Sequence, residues 1–198
     1  NKRFMKRYFC FFSMLTLIVA MLSKVEANSF PEMVYYPEGE FQMGSPEEEG
    51  KSNEHPQHRV FLDAFYLDKH EVTFKNFEDY LAVNPKEHPT ITGWYDRKVR
   101  PDMVNRPIFG LQWKRCKKYC EWEKKRLPTE AEWERAAKGI ENREYPWGNE
   151  PPDEYRANFS KCCFINKGLA LTPIGDFDLG ITPEGVFDLG GNVAEWVY

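Results

Sequence analysis

From Ile140 to Tyr198, glycine, proline, asparagine and aspartate recur every few residues, leaving no window in which a long helix or strand could propagate. A chain of this kind must hold irregular loops by packing, disulfides or metal. Aromatics make up 16% of the residues, with six Trp, ten Tyr and fifteen Phe, enough to pin loops with large rings. At 41% hydrophobic and 29% charged, the chain can build a packed core and does not read as globally disordered. The formal charge of −4 is uneven. Residues 1–27 hold five basic residues and one acidic one, leaving 22 basic against 30 acidic elsewhere, a body charge of −8. A mildly acidic body has no electrostatic footprint for nucleic acid, so no nucleic-acid partner is expected.

The first segment reads as a secretory leader. Lys6-Arg7 precede an apolar run from Tyr8 to Leu22, and Val25-Glu26-Ala27 forms a small-residue exit. Met5 is taken as the initiator, cleavage is expected after Ala27, and the mature portion is residues 28–198. The apolar run falls short of the roughly 20 residues that a span needs, so no stable membrane span is expected after cleavage. Export would place the protein in the periplasm, at the cell surface or in the medium, where disulfides persist. The sequence stops within the apolar Glu195-Trp196-Val197-Tyr198 and reads as a fragment.

In the mature portion, Met33–Tyr36 and Glu40–Met43 read as two short strands around Pro37-Glu38-Gly39, and His58–Asp68 as a further strand. A helix is expected after Thr73, with Phe74, Phe77, Tyr80 and Leu81 on one face and Val72 stapled to Phe77. Residues 85–107 read as irregular. A second helix is expected from about Leu111 to Lys124, with Trp113, Cys116 and Cys120 buried. A third follows the capping box Thr129-x-x-Glu132, buries Trp133, Ala136 and Ala137, and stops at Gly139.

Outside the leader, four cysteines remain: Cys116, Cys120, Cys162 and Cys163. Helical i,i+4 spacing holds Cβ atoms about 5–6 Å apart, too far for a Cys116–Cys120 disulfide. Pairing between the two groups, or with cysteines beyond Tyr198, stays open. The spacings do not resemble a zinc knuckle, and nothing near Cys162 or Cys163 marks an activated thiol. His55 and His58 could in principle share a metal, but they read more simply as hydrogen-bonded strand-edge residues. Asn158-Phe159-Ser160 matches the N-glycosylation acceptor pattern. Asp188 and Glu195 bracket Gly190-Gly191, a bend whose carbonyls could join the carboxylates around a hard cation such as calcium.

Several motifs taken together resemble the formylglycine-generating enzyme (sulfatase-modifying factor) family. They include Met33–Ser45, Glu71-Val72-Thr73, Tyr119-Cys120-x-Trp122, Lys125–Glu134, Tyr145–Gly148, Ala157–Phe159 and Gly191–Trp196, in family order. The resemblance covers residues 31–198. It implies an α+β, loop-rich fold related to the C-type lectin fold, with little regular secondary structure. It also implies two calcium sites. One would use the side chains of Asp188 and Glu195 with the carbonyls of Gly191 and Val193; the other would draw on Asn158, Phe159, Asn166 and Gly168. Cys120 matches a family position that can pair with a downstream cysteine. Glu38, Leu111-Gln112 and Ala194 depart from the usual pattern and suggest a divergent member.

The family's enzymes oxidise a sulfatase cysteine to formylglycine with oxygen and copper. The resemblance places their copper-binding cysteine pair beyond Tyr198, so no catalytic residue is assigned here. Two functions follow as expectations. The first is an exported oxidase acting on a sulfatase polypeptide. The second is a non-catalytic, calcium-braced structural or binding module with an envelope or secreted protein as partner.

Overall fold

The computed structural model describes residues 32–91, 93–159 and 171–198, and the backbone of Phe164–Ile165 and Gly168–Leu169. The leader, Cys162, Cys163 and Asn166 lie outside the described residues. The N-terminal strands form one interrupted antiparallel ribbon. Strand β1 (Met33–Tyr36) pairs with β4 (Phe65–Asp68), and β2 (Gly39–Met43) pairs with β3 (His58–Leu62). Tyr36 stands opposite Phe65 and Gly39 opposite Leu62, so a single register runs across the break. The two strands around Pro37 are present, but they do not pair with each other. A two-residue hairpin turn needs positive φ at its first central residue, which the proline ring forbids. The strand partners therefore come from across the 44–57 loop. Alternation along the ribbon buries Val34, Tyr36, Phe41 and Phe65 and leaves Tyr35, Phe61 and Tyr66 exposed.

Helix α1 (Phe74–Val83) starts at Thr73, whose hydroxyl accepts from Asn76 N while the Asn76 side chain accepts from Thr73 N, a reciprocal cap. Its buried face is Phe74, Phe77, Tyr80 and Leu81, as the periodicity requires. The 85–107 stretch is less irregular than its prolines suggest. A small hairpin, β5 (Trp94–Tyr95) with β6 (Lys98–Val99), turns through Asp96 and Arg97, both at positive φ. Helix α2 spans Trp113–Trp122. Its buried residue is Tyr119, while Cys116 and Cys120 are only half-buried and pack on the Phe77–Tyr80–Tyr119 cluster. Trp113 instead turns its indole to the chain end, donating to the Val197 carbonyl at 2.8 Å.

Helix α3 (Glu130–Lys138) follows the expected capping box and ends at Gly139, φ 68°. Glu132 also accepts two bonds from Arg126, both at 2.6 Å. At the other end, buried Arg143 donates to the Ala136 and Ala137 carbonyls and forms a two-point contact with Glu184. A cation there complements the carboxyl end of the helix. Short strands β7 (Phe164–Ile165) and β8 (Gly168–Leu169) pair antiparallel.

One core cluster joins the ribbon to α3 and to the 186–189 segment through Val34, Tyr36, Phe65, Ala136, Val186 and Leu189. A second joins α1 and α2. The first matters for function, because Leu189 seats the acidic loop directly after Asp188. Among the described residues, no helix is long and apolar enough to cross a membrane.

Candidate metal centre at the Asp188–Glu195 loop

The loop is placed by its neighbours. Phe187 N donates to the Lys69 carbonyl at 2.9 Å, and the Phe187 ring stacks on His70 at 4.6 Å, so segments 69–71 and 187–193 run side by side. Asp188 and Asn192 adopt left-handed backbone, φ 61° and 64°, a conformation that Asp and Asn tolerate better than most residues. The Gly-Gly pair was expected to supply the bend, but the positive φ falls on the flanking residues. The glycines are needed for space. A Cβ on Gly190 would lie 2.6 Å from the Trp147 ring, and one on Gly191 would lie 2.6 Å from the Asn158 carbonyl oxygen.

Asp188 is buried and accepts from Gly175 N at 3.1 Å through Oδ2. Glu195 accepts from the Trp133 indole at 2.6 Å through Oε2. Each carboxylate thus keeps one oxygen without a described donor. No described donor reaches the carbonyls of Gly191 or Val193 either. The four expected ligands therefore offer only oxygen, which suits a hard cation. Among the described residues, no three His, Cys, Asp or Glu side chains form a metal-binding group, so a cation here has to draw on backbone carbonyls.

Sequence reasoning missed the third carboxylate. Glu71 is buried, and both its oxygens are engaged: Oε2 accepts from Asn192 Nδ2 at 2.8 Å and Oε1 from Val193 N at 3.1 Å. Burial, then the charges of Asp188 and Glu195, push its carboxyl up to about 9. Burial likewise raises Asp188. Glu195 is exposed as a residue, yet its carboxyl end is turned back against Trp133, and burial there, then the charge of Asp188, pushes it up to about 7. Because Glu195 is exposed over the rest of its side chain while Glu71 is buried throughout, Glu71 carries more of the electrostatic weight. Its signal in the sequence was position: a lone acid between His70 and the apolar Val72, just before a helix cap.

Asn192 is the hub of the loop. Its amide also donates to the Thr172 carbonyl, its Oδ1 accepts from Thr172 N at 3.1 Å, and its backbone N–H reaches the Asn158 carbonyl at 2.8 Å. Asn158 is buried and donates its own amide to Asn192 Oδ1, which places the glycosylation motif's asparagine inside the protein. Phe159 follows it at the surface, and Gly168 lies in β8. The second expected site is not assembled among the described residues, because Asn166 falls outside them.

The other candidates stay apart from this loop. His55 Nδ1 bonds the Ser45 carbonyl and His58 Nδ1 bonds the Pro56 carbonyl. Cys116 and Cys120 are both free thiols, consistent with their helical spacing. Burial raises both, Cys120 to about 11, with the neighbouring Cys116 adding to it.

Comparison with known proteins agrees with this architecture. Residues 19–198 match the sulfatase-modifying factor enzyme 1-like domain. The chain belongs to the sulfatase-modifying factor family. Within it, the chain is 35% identical over 185 residues to the serine/threonine-protein kinase pkn1 of Chlamydia caviae, covering 84% of this chain and 27% of that protein. It is 31% identical over 170 residues to the formylglycine-generating enzyme of Bos taurus, covering 64% and 46%. Among solved structures, PvdO from Pseudomonas aeruginosa superposes with a TM-score of 0.64 at 26% identity, covering 84% of this chain and 69% of that one. The chain thus spans about a quarter to a half of these curated relatives, and the fold is the family's loop-rich α+β architecture.

Proposed function

We propose that this sulfatase-modifying-factor domain is an exported, calcium-braced structural or binding module. One observation carries the reading. Glu71, Asp188 and Glu195 converge on one loop, and among the described residues none of them is ion-paired with a lysine or arginine. Buried carboxylates without a counter-charge are costly, and a bound cation would supply it. Asp188 and Glu195 would contribute carboxylate oxygens and Gly191 and Val193 carbonyls. Calcium bound there would tie the 69–71 segment, α3 through Trp133, and the 172–175 loop into one body. The charged and apolar leader supports export, with an envelope or secreted protein as the partner.

A second reading is favoured by the match to the bovine enzyme: an oxidase converting a sulfatase cysteine to formylglycine with copper. Cys116 and Cys120 do not suit that chemistry, because burial holds them as thiols and the thiolate is the reactive form.

Thermal melting of the whole chain with calcium and with a chelator tests the first reading. A ligand that binds only the folded state raises the melting temperature. An unchanged melt counts against it. Incubation with a cysteine-containing sulfatase peptide, followed by mass spectrometry, tests the second; formation of the aldehyde would displace the scaffold reading.

A further inference from the structure

Glu71 lies more than a hundred positions from the loop it touches, and both contacts fall on main-chain or amide donors. With each oxygen already accepting a bond, Glu71 has less left for an ion than Asp188 or Glu195, each of which keeps one oxygen without a described donor. It is well placed to aim the groups that would. A trans peptide holds its N–H and C=O antiparallel. The bond from Asn192 N to the Asn158 carbonyl therefore points the Gly191 carbonyl away from Asn158. The bond from Val193 N to Glu71 Oε1 fixes the next peptide plane, which carries the Asn192 carbonyl and joins the planes of the Gly191 and Val193 carbonyls. The Asn192 amide cannot reverse to relieve a lost partner, because Oδ1 is already fixed by Thr172 N and the Asn158 amide.

We propose that Glu71 is the positioning residue of the Asp188–Glu195 loop: by holding the Asn192 side chain and the Asn192–Val193 peptide, it fixes the plane that lies between those of the Gly191 and Val193 carbonyls, and so sets where both carbonyls sit before a cation arrives. The inference rests on the cation-braced reading above and adds a residue that lies outside the four ligands. Outer partners that orient metal ligands typically change affinity by about 10–100-fold when altered.

The test uses the whole chain and terbium as a calcium stand-in, with tryptophan-sensitised emission from Trp133 and Trp147 and calcium as competitor. Wild type should bind saturably, and Asp188→Asn should lose the signal. Glu71→Gln replaces one acceptor with a donor that faces another donor, so affinity should fall about 10–100-fold. Asn192→Asp alone should also weaken binding by setting two carboxylates face to face. The double variant, Glu71→Gln with Asn192→Asp, restores the donor–acceptor pair between positions 71 and 192, while the Thr172 carbonyl still loses its amide donor, so it should recover part of the affinity. Two weak singles and a recovered double are not what a general loss of stability produces. If Asn192→Asp alone tightens binding, or the double is no better than Glu71→Gln, charge rather than positioning is at work and the inference is overturned.

Hydrogen exchange on wild type needs no variant to fold. Val193 N–H should be protected in chelator as well as in calcium. Protection that appears only with calcium overturns the inference while leaving the cation site standing. Failure of wild type to bind at all, with Asp188→Asn indistinguishable from it, overturns both.

Discussion

Glu71 makes stability depend on pH in a direction opposite to that of most carboxylates. Its ordinary value is 4.5, and burial beside Asp188 and Glu195 raises it to about 9 in the folded chain. Between those values the folded protein holds a proton that the unfolded chain has released, so unfolding becomes easier as pH rises. The stability associated with the neutral acid is fully present below about pH 4.5 and is lost as pH climbs towards 9. The slope for one group is about 1.4 kcal/mol per pH unit, so the loss from pH 5 to pH 7 is about 3 kcal/mol. Urea unfolding of the whole chain in chelator at pH 5, 6, 7 and 8 measures it, with Glu71→Gln as the comparison. Asp188 and Glu195 add slope of the same sign to both proteins, so the difference between the two curves isolates Glu71. Wild type should lose stability faster than Glu71→Gln across the series. Parallel curves, or a wild type that gains stability towards pH 8, would show that Glu71 does not hold a proton in the folded chain.

Two further outcomes follow from packing and charge. Gly191→Ala sets a Cβ 2.6 Å from the Asn158 carbonyl oxygen, backbone against backbone, so it should cost about 1–3 kcal/mol in urea unfolding; a change under about 0.5 kcal/mol would contradict the close approach. Glu184→Ala leaves buried Arg143 with only α3 carbonyls and the exposed Glu141, and should cost about 2–3 kcal/mol, less than a fully buried pair because Glu184 is a quarter exposed. A melting temperature equal to wild type would show that the α3 carbonyls suffice.

Local features of the chain were legible and long-range ones were not. Thr129 and Glu132 announced α3 because both halves of a capping box lie within one turn, and Thr73 did the same for α1. The strands were visible as alternation, but their pairing was not. Pro37 shows only that its flanking strands cannot turn on each other, and the actual partner depends on closure of the 44–57 loop. The helical period alone does not favour Tyr119 over Trp113, because a ring with a hydroxyl is equally at home at a surface, and only the Phe77 and Tyr80 rings from α1 decide its burial. The β5–β6 hairpin was hidden because arginine rarely takes positive φ and so gives no turn signal. At the site, Asp188, Gly191 and Glu195 were found from a single short motif. Glu71 and Asn158 were not assigned to it, since their roles exist only after three distant segments meet at Asn192.

Calorimetric titration of the chelator-treated chain with calcium tests the cation-braced reading most directly, run on wild type, Asp188→Asn and Asp153→Asn. Asn tolerates the left-handed backbone at position 188, so the first variant removes charge with little added strain. Asp153 lies apart, paired with Arg156, and serves as the control. Saturable binding is expected in wild type and in the Asp153 variant, weakened at least about tenfold in Asp188→Asn. Absence of binding in wild type, or equal affinity in all three proteins, would contradict the cation-braced reading.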